Sequence, residues 1–180
     1  MTATTKARST LLSTQSPEHA EIVREALTMV LYVSVVEIAE LAALPETHIS
    51  GHATGPVSSE LLAIIWGTAV GLAVAHWFAF RLGGHAFRGD RVTGLDTKVG
   101  LAQVGAAMFV AAASSVPVLL FGDVREQEFT GFVPAVLIGI VGYLIARETG
   151  KGRLAAAAYG TTALAIGLLV ATVKLALAAH

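Results

Sequence analysis

The sequence predicts an all-α, polytopic membrane protein with five transmembrane helices, its N-terminus cytoplasmic and its C-terminus external. Three observations carry this. Of 180 residues, 54% are hydrophobic and only 14% are charged, a composition far from that of a soluble domain. The apolar residues gather in five blocks of roughly 19 to 25, each long enough to cross about 30 Å of hydrocarbon at about 1.5 Å per helical residue. Once those blocks alternate in direction, nearly all Lys and Arg fall on one side. The expected organisation is a flexible cytoplasmic tail over residues 1–15 and a single helical domain over residues 16–180.

The tail is rich in Ser and Thr and carries Lys6 and Arg8 with no apolar core beside them. The first apolar stretch starts near Ala26 and contains two glutamates, so no cleaved secretory signal is expected. Ser16-Pro17-Glu18 reads as a helix start. A Ser side chain caps orphan N–H groups, Pro suits the first turn, and an acid favours the positive end of the helix dipole. This helix opens amphipathically and becomes transmembrane over 26–44, where Pro45 follows.

Residues 45–59 combine Gly and Pro punctuation with two histidines and lack Lys and Arg, as expected of a short external loop. The second span covers 60–80. After it come Arg81, Arg88, Arg91 and Lys98 among several glycines, read as a basic, irregular or interfacial linker. The third span covers 99–121 and is interrupted by Ser114-Ser115-Val116-Pro117. Such a Pro can kink a membrane helix where neighbouring groups satisfy the freed carbonyl. Residues 122–128 form an acidic turn, the fourth span covers 129–146, a tight basic turn surrounds Gly150 and Gly152, and the fifth span covers 154–178. With the N-terminus inside, Lys6, Arg8, Arg24, Arg81, Arg88, Arg91, Lys98, Arg147, Lys151 and Arg153 are cytoplasmic. Only Arg125 and Lys174 lie on or near the other side. That asymmetry fixes the expected orientation, and the expected location is a plasma (inner) membrane.

The costly residues lie in the first span, YVSVVEIAELAAL over 32–44, which carries Glu37 and Glu40. On an insertion scale, about ten Leu, Ile, Val and Met contribute roughly −0.3 to −0.6 kcal/mol each, while each acid near the centre costs roughly 2.5 to 3.5. The sum is near zero, so this helix needs partners or protonation. Three residues apart, the two acids share a helix face, with Ser34 close by. Counting from the external helix ends places them roughly 6 to 10 Å deep and Lys174 roughly 6 Å deep. A Glu37 or Glu40 pair with Lys174 joining the first and fifth helices is therefore expected. Lys174 continues a stripe of Gly160, Ala163, Gly167 and Ala171, and small residues allow helices to approach closely in lipid.

Two readings of these groups stand side by side. In one they are an ion or proton pathway, since intramembrane ionisable groups mark such routes. In the other they fix assembly, or Glu40 and Lys174 snorkel to the interface. His76, beside Trp77 and Arg81, is either an interfacial residue of an aromatic belt or the inner station of a proton route, with Gln103 and Tyr143 at similar depth. By helical rise, roughly 12 Å separates it from Glu37.

Other signals are weaker. Glu46, His48 and His52 could share a metal only on a helix, which Gly51 and Pro56 argue against. Gly67 and Gly71 fit a small-xxx-small contact, within the chain or between copies. The Arg88-Gly89-Asp90 triplet would be cytoplasmic. Gly150-Lys151 lacks the strand and glycines of a phosphate loop. No cysteine is present, which removes disulfides and thiolate chemistry, and the net charge of −1 exerts no pull on nucleic acid. No cofactor or metal site is expected. The expected partners are the lipid bilayer and either further copies of the chain or another membrane subunit. The expected function is an oligomeric channel or transporter for protons, small ions or small solutes, with a non-catalytic accessory subunit as the alternative. An intramembrane or lipid-modifying enzyme ranks last, for want of a nucleophile with its base.

Overall fold

The structure, a computed structural model, describes residues 16–44, 48–49, 52–53, 58–88, 94–121 and 126–178. They form five helices: α1 (Pro17–Ala42), α2 (Ser58–Arg88), α3 (Gly94–Phe121), α4 (Glu126–Glu148) and α5 (Arg153–Ala178). Between α1 and α2 a two-residue antiparallel ladder, β1 (His48–Ile49) with β2 (His52–Ala53), pairs Ile49 with His52. The tail over residues 1–15 lies outside the described residues.

The helix α1 starts where its sequence requires. Ser16 sits at the N-cap with ψ of 144°, its side chain accepts from the His19 N–H, and Pro17 follows in the first turn. Three boundaries differ from the sequence reading, one of them that of α3, which begins at Gly94 inside the expected linker. The helix α2 runs through Arg81 and the glycine pair to Arg88 instead of breaking into a linker at Arg81. Similarly, α4 begins at Glu126, inside the stretch expected to be an acidic turn. The physical reason is the same in all three cases. A helix already formed across the apolar stretch adds one backbone hydrogen bond for each further residue, so propagation continues through residues that would not nucleate a helix. Glycine lowers that tendency by only about 1 kcal/mol.

Four helices, α2 to α5, are long and apolar enough to cross a membrane. The exception is α1. Every 18-residue window within it holds at least three of Glu18, Glu21, Arg24, Glu25, Glu37 and Glu40. Yet α1 occupies the middle: it packs against all four other helices, which neighbour one another in chain order as an arc around it. Met29, Val30 and Val33 of α1, Ala69 and Ala73 of α2, and Ala107, Val110 and Ala111 of α3 are buried in one apolar cluster. Ile38 and Ala39 form a second cluster with Ala135 and Ile138 of α4. Outward-facing positions are large and apolar, among them Phe78, Leu101, Leu119 and Phe132. A surface of that kind suits lipid as its solvent.

Pairs of contacts fix helix directions. Glu18 with Lys98, Glu25 with Gln103 and Glu37 with Ser114 advance together along α1 and α3, so these two run parallel. Trp66 with Ser115 and Trp77 with Gly100 run in opposite senses, so α2 is antiparallel to α3.

Between α4 and α5 the chain closes tightly. A Cβ on Gly160 would stand 2.6 Å from the Gly139 carbonyl oxygen, and one on Gly142 would stand 2.8 Å from the Ala163 Cβ. No side chain fits there, so glycine sets the helix separation. The small-residue stripe of α5 is thus real, but at Gly160 and Ala163 it faces α4. Near Gly167 both helices contribute: Ile138 would stand 2.9 Å and Val35 of α1 3.7 Å from a Cβ at that position. The turn back into α5 ends α4 with Gly150 at φ of 80°. There the Lys151 N–H reaches the Ala146 carbonyl and the Gly150 N–H the Arg147 carbonyl, a left-handed cap that glycine adopts without steric penalty.

Candidate functional site: a buried carboxylate on the central helix

Where α1 packs against its neighbours, its polar residues are sealed. Glu37 is 1% exposed and Ser34 0%. The Ser114 hydroxyl of α3, itself fully buried, donates to Glu37 Oε2 at 2.6 Å. The other carboxylate oxygen, Oε1, has no partner, and neither does Ser34 Oγ. Burial of a polar atom without a hydrogen bond costs roughly 1–3 kcal/mol, more where the group is charged. Two orphaned oxygens therefore lie on one face of the helix that holds the bundle together.

One turn outward, Glu40 is half-buried and accepts a hydrogen bond from the Thr68 hydroxyl of α2. At the same level the indole N–H of Trp66 donates to Ser115 Oγ at 3.1 Å. Ser115 in turn donates to the Ala111 carbonyl at 2.7 Å. Hydroxyls of α2 and α3 thus meet the two carboxylates of α1 in one polar layer. Beside it an open groove of about 450 Å³ is lined by Glu40, Ala43 and Leu44 of α1 and by Ala63, Ile64, Gly67 and Thr68 of α2. The groove exists because Ala63 and Gly67 offer little side chain to fill the space between the two helices. At Gly67 an added Cβ would meet nothing within 4 Å.

A second polar layer lies toward the other end of α1. Gln103, 2% exposed, donates to Glu25 at 3.1 Å, while its own Oε1 has no partner. Further along, Lys98 meets Glu18 at 2.7 Å. Between the layers the buried residues of α1 are Met29, Val30 and Val33, so the two are insulated from each other by apolar packing.

Of the residues expected from sequence, Glu37 and Glu40 come together, with Ser34 beside them. His76 does not join them: it is half-buried on α2 and makes no hydrogen bond or ion pair among the described residues. Its neighbour Trp77 lies against Gly100, and Arg81 sits 5.9 Å from the Trp77 ring centroid. The expected pair with Lys174 falls on a side chain outside the described residues. So does Glu46, while His48 and His52 stand on opposite strands of the short ladder. Among the described residues no group of three or more His, Cys, Asp and Glu is placed to hold a metal ion.

Sequence reasoning missed Ser114 and Thr68 as partners of the acids. The signal was present: seven residues from the end of α3, Ser114 lies roughly 10 Å deep by helical rise, the level of Glu37. Comparison with protein-family models, curated proteins and solved structures finds no match to this chain.

Proposed function

We propose that this chain is a five-span integral membrane protein of a plasma-type membrane, N-terminus cytoplasmic and C-terminus external, that serves the passage of protons, small ions or small solutes as an oligomer. One observation carries the reading: a carboxylate 1% exposed and only half hydrogen-bonded, on the one helix that every other helix packs around. Ionisable groups at such depth are expensive and mark ion and proton routes.

Several features support the fifth span and the orientation. Because α1 runs parallel to α3 and level with it, a membrane crossed by α3 is crossed by α1 as well. The contacts Glu18–Lys98 and Trp77–Gly100 bring the start of α1, the end of α2 and the start of α3 to one end, which collects Arg24, Arg81 and Lys98. That is the arrangement the positive-inside rule favours on the cytoplasmic face. Oligomerisation is supported by α2, where Ala63, Gly67, Gly71, Ala75 and Ala79 recur every fourth residue and are all exposed. The same device holds α4 to α5 inside the bundle, so an open copy of it suits a helix of a second subunit.

The accessory-subunit reading is favoured by a different observation, the apolar belt of Met29, Val30 and Val33 between the polar layers, which gives one bundle no continuous wet path. Flux separates the two. In liposomes containing the purified protein, proton or cation flux is expected in the parent and lost in Glu37→Gln and reduced in Glu40→Gln. Absence of flux in the parent, or equal flux in all three, removes the transport reading and leaves the structural one.

A further inference from the structure

We propose that Ser34 and Glu37 together hold a proton, loaded from the outer groove beside Glu40 and, in this arrangement of the helices, closed to the inner face. This rests on the transport reading and deepens it by naming the species and the side from which it enters.

The number of available oxygens decides the species. A hard metal cation gathers about six or more oxygen ligands. Here Ser115 is engaged with Trp66 and Ala111, and Thr68 with Glu40, which leaves the two Glu37 oxygens, Ser34 Oγ and the Ser114 hydroxyl as the side-chain oxygens of the sealed site. That set is far short of a cation's shell. A proton needs only one donor oxygen and one acceptor. Protonated at Oε1, Glu37 donates towards Ser34 Oγ, directly after a small side-chain rotation or through one water, and both orphaned atoms are satisfied at once. Ser114 continues to donate to Oε2 in either state, so it orients the carboxyl group and leaves Oε1 as the oxygen that changes.

Access follows from the same geometry. The groove brings water to Glu40, the titratable side chain beside Glu37 among the described residues. Hydronium gives its proton to the Glu40 carboxylate. The O–H bond at Glu40 then breaks as one forms at Glu37 Oε1, which regenerates the Glu40 carboxylate and leaves Glu37 neutral. The groups that meet the carboxylates or lie level with them are Thr68 and Trp66 from α2 and Ser114 and Ser115 from α3; α4 and α5 pack apolar Ala135, Ile138 and Leu164 against Ile38 and Ala39, and α4 also carries the buried, engaged Thr130 nearer its start. Lys174 of α5 lies seven residues beyond Gly167, the position beside Val35 of α1. Inward, nine residues separate Ser34 from Glu25, roughly 13 Å of rise. The buried side chains between them, Met29, Val30 and Val33, offer no polar atom.

Infrared difference spectroscopy of the full chain in lipid tests this. The parent is expected to show the carbonyl stretch of a protonated carboxylic acid at neutral pH. That band should disappear in Glu37→Gln, shift in Ser34→Ala and persist in Glu40→Gln. Its downshift in heavy water should slow in Glu40→Gln by roughly a hundredfold, the order expected of one positioned proton-transfer group. A band unaffected by Glu37→Gln, or one removed by adding sodium or lithium ions to the parent, overturns the proposal. So does an unchanged exchange rate in Glu40→Gln. Should Glu37→Gln fail to fold, the Ser34→Ala shift decides. Flux without the band sinks this inference and spares the transport reading, whereas the band without flux does the reverse.

Discussion

At its N-terminal end α1 meets α3 through Glu18 with Lys98 and Glu25 with Gln103. Roughly three turns further on it meets the same helix through Glu37 with Ser114. The first of these is charged and wet, with Lys98 and Glu18 64% and 45% exposed; in the next, Glu25 stands beside Arg24 at 3.1 Å while Gln103 is buried. The contact at Glu37 is sealed, with a carboxylate whose remaining oxygen meets nothing. Both layers join the same two parallel helices, yet at Glu18 and Lys98 water can replace a lost partner and at Glu37 it cannot. Polar contacts with the same topology therefore carry different energetic weight, set by what surrounds them.

Substitutions should grade accordingly. The largest effect is expected from Ser114→Val, which leaves the buried Glu37 carboxyl without any donor. A loss of about 2–3 kcal/mol should be read in chemical denaturation of the lipid- or detergent-embedded protein, and it should shrink markedly in the Ser114→Val, Glu37→Leu double variant, where no polar group is left stranded. Next comes Trp66→Phe, which removes the indole N–H from Ser115 and keeps the ring. The expected loss is about 1 kcal/mol, since Ser115 retains its bond to the Ala111 carbonyl. In the inner layer, Gln103→Leu removes both the bond to Glu25 and the orphaned Gln103 oxygen. These oppose each other, and the net change should lie within about 1 kcal/mol. The smallest effect belongs to Lys98→Ala, below about 0.5 kcal/mol and fading with added salt, as for an exposed ion pair. A loss at Lys98 equal to that at Ser114 would erase the distinction between the layers.

The glycines make a parallel contrast. On α4 and α5, Gly139, Gly142 and Gly160 pack closely across the helix pair, whereas Gly67 and Gly71 of α2 are open. Composition gave both sets the same capacity for close contact. Which set is used inside the bundle depends on how each helix is rotated, and no local sequence feature encodes that rotation.

Much of the protein was legible without coordinates. Ser16-Pro17 starts α1 because a cap and a first-turn Pro act within one turn. The apolar blocks form helices because a chain in hydrocarbon satisfies its backbone internally. Glu37 and Glu40 share a face because helical periodicity places them there. What the sequence left open was of another kind. The extension of α2 through Arg81 to Arg88 depends on cooperative propagation from the apolar core and not on the residues themselves. The choice of Ser114 and Thr68 as partners of the acids depends on helix order and rotation around α1. Alone, the sequence determined that a chain of helices would carry two acids on one face. Tertiary structure decided that this helix stands among the other four, since packing them against it seals Glu37 and leaves Glu40 at the edge of an open groove.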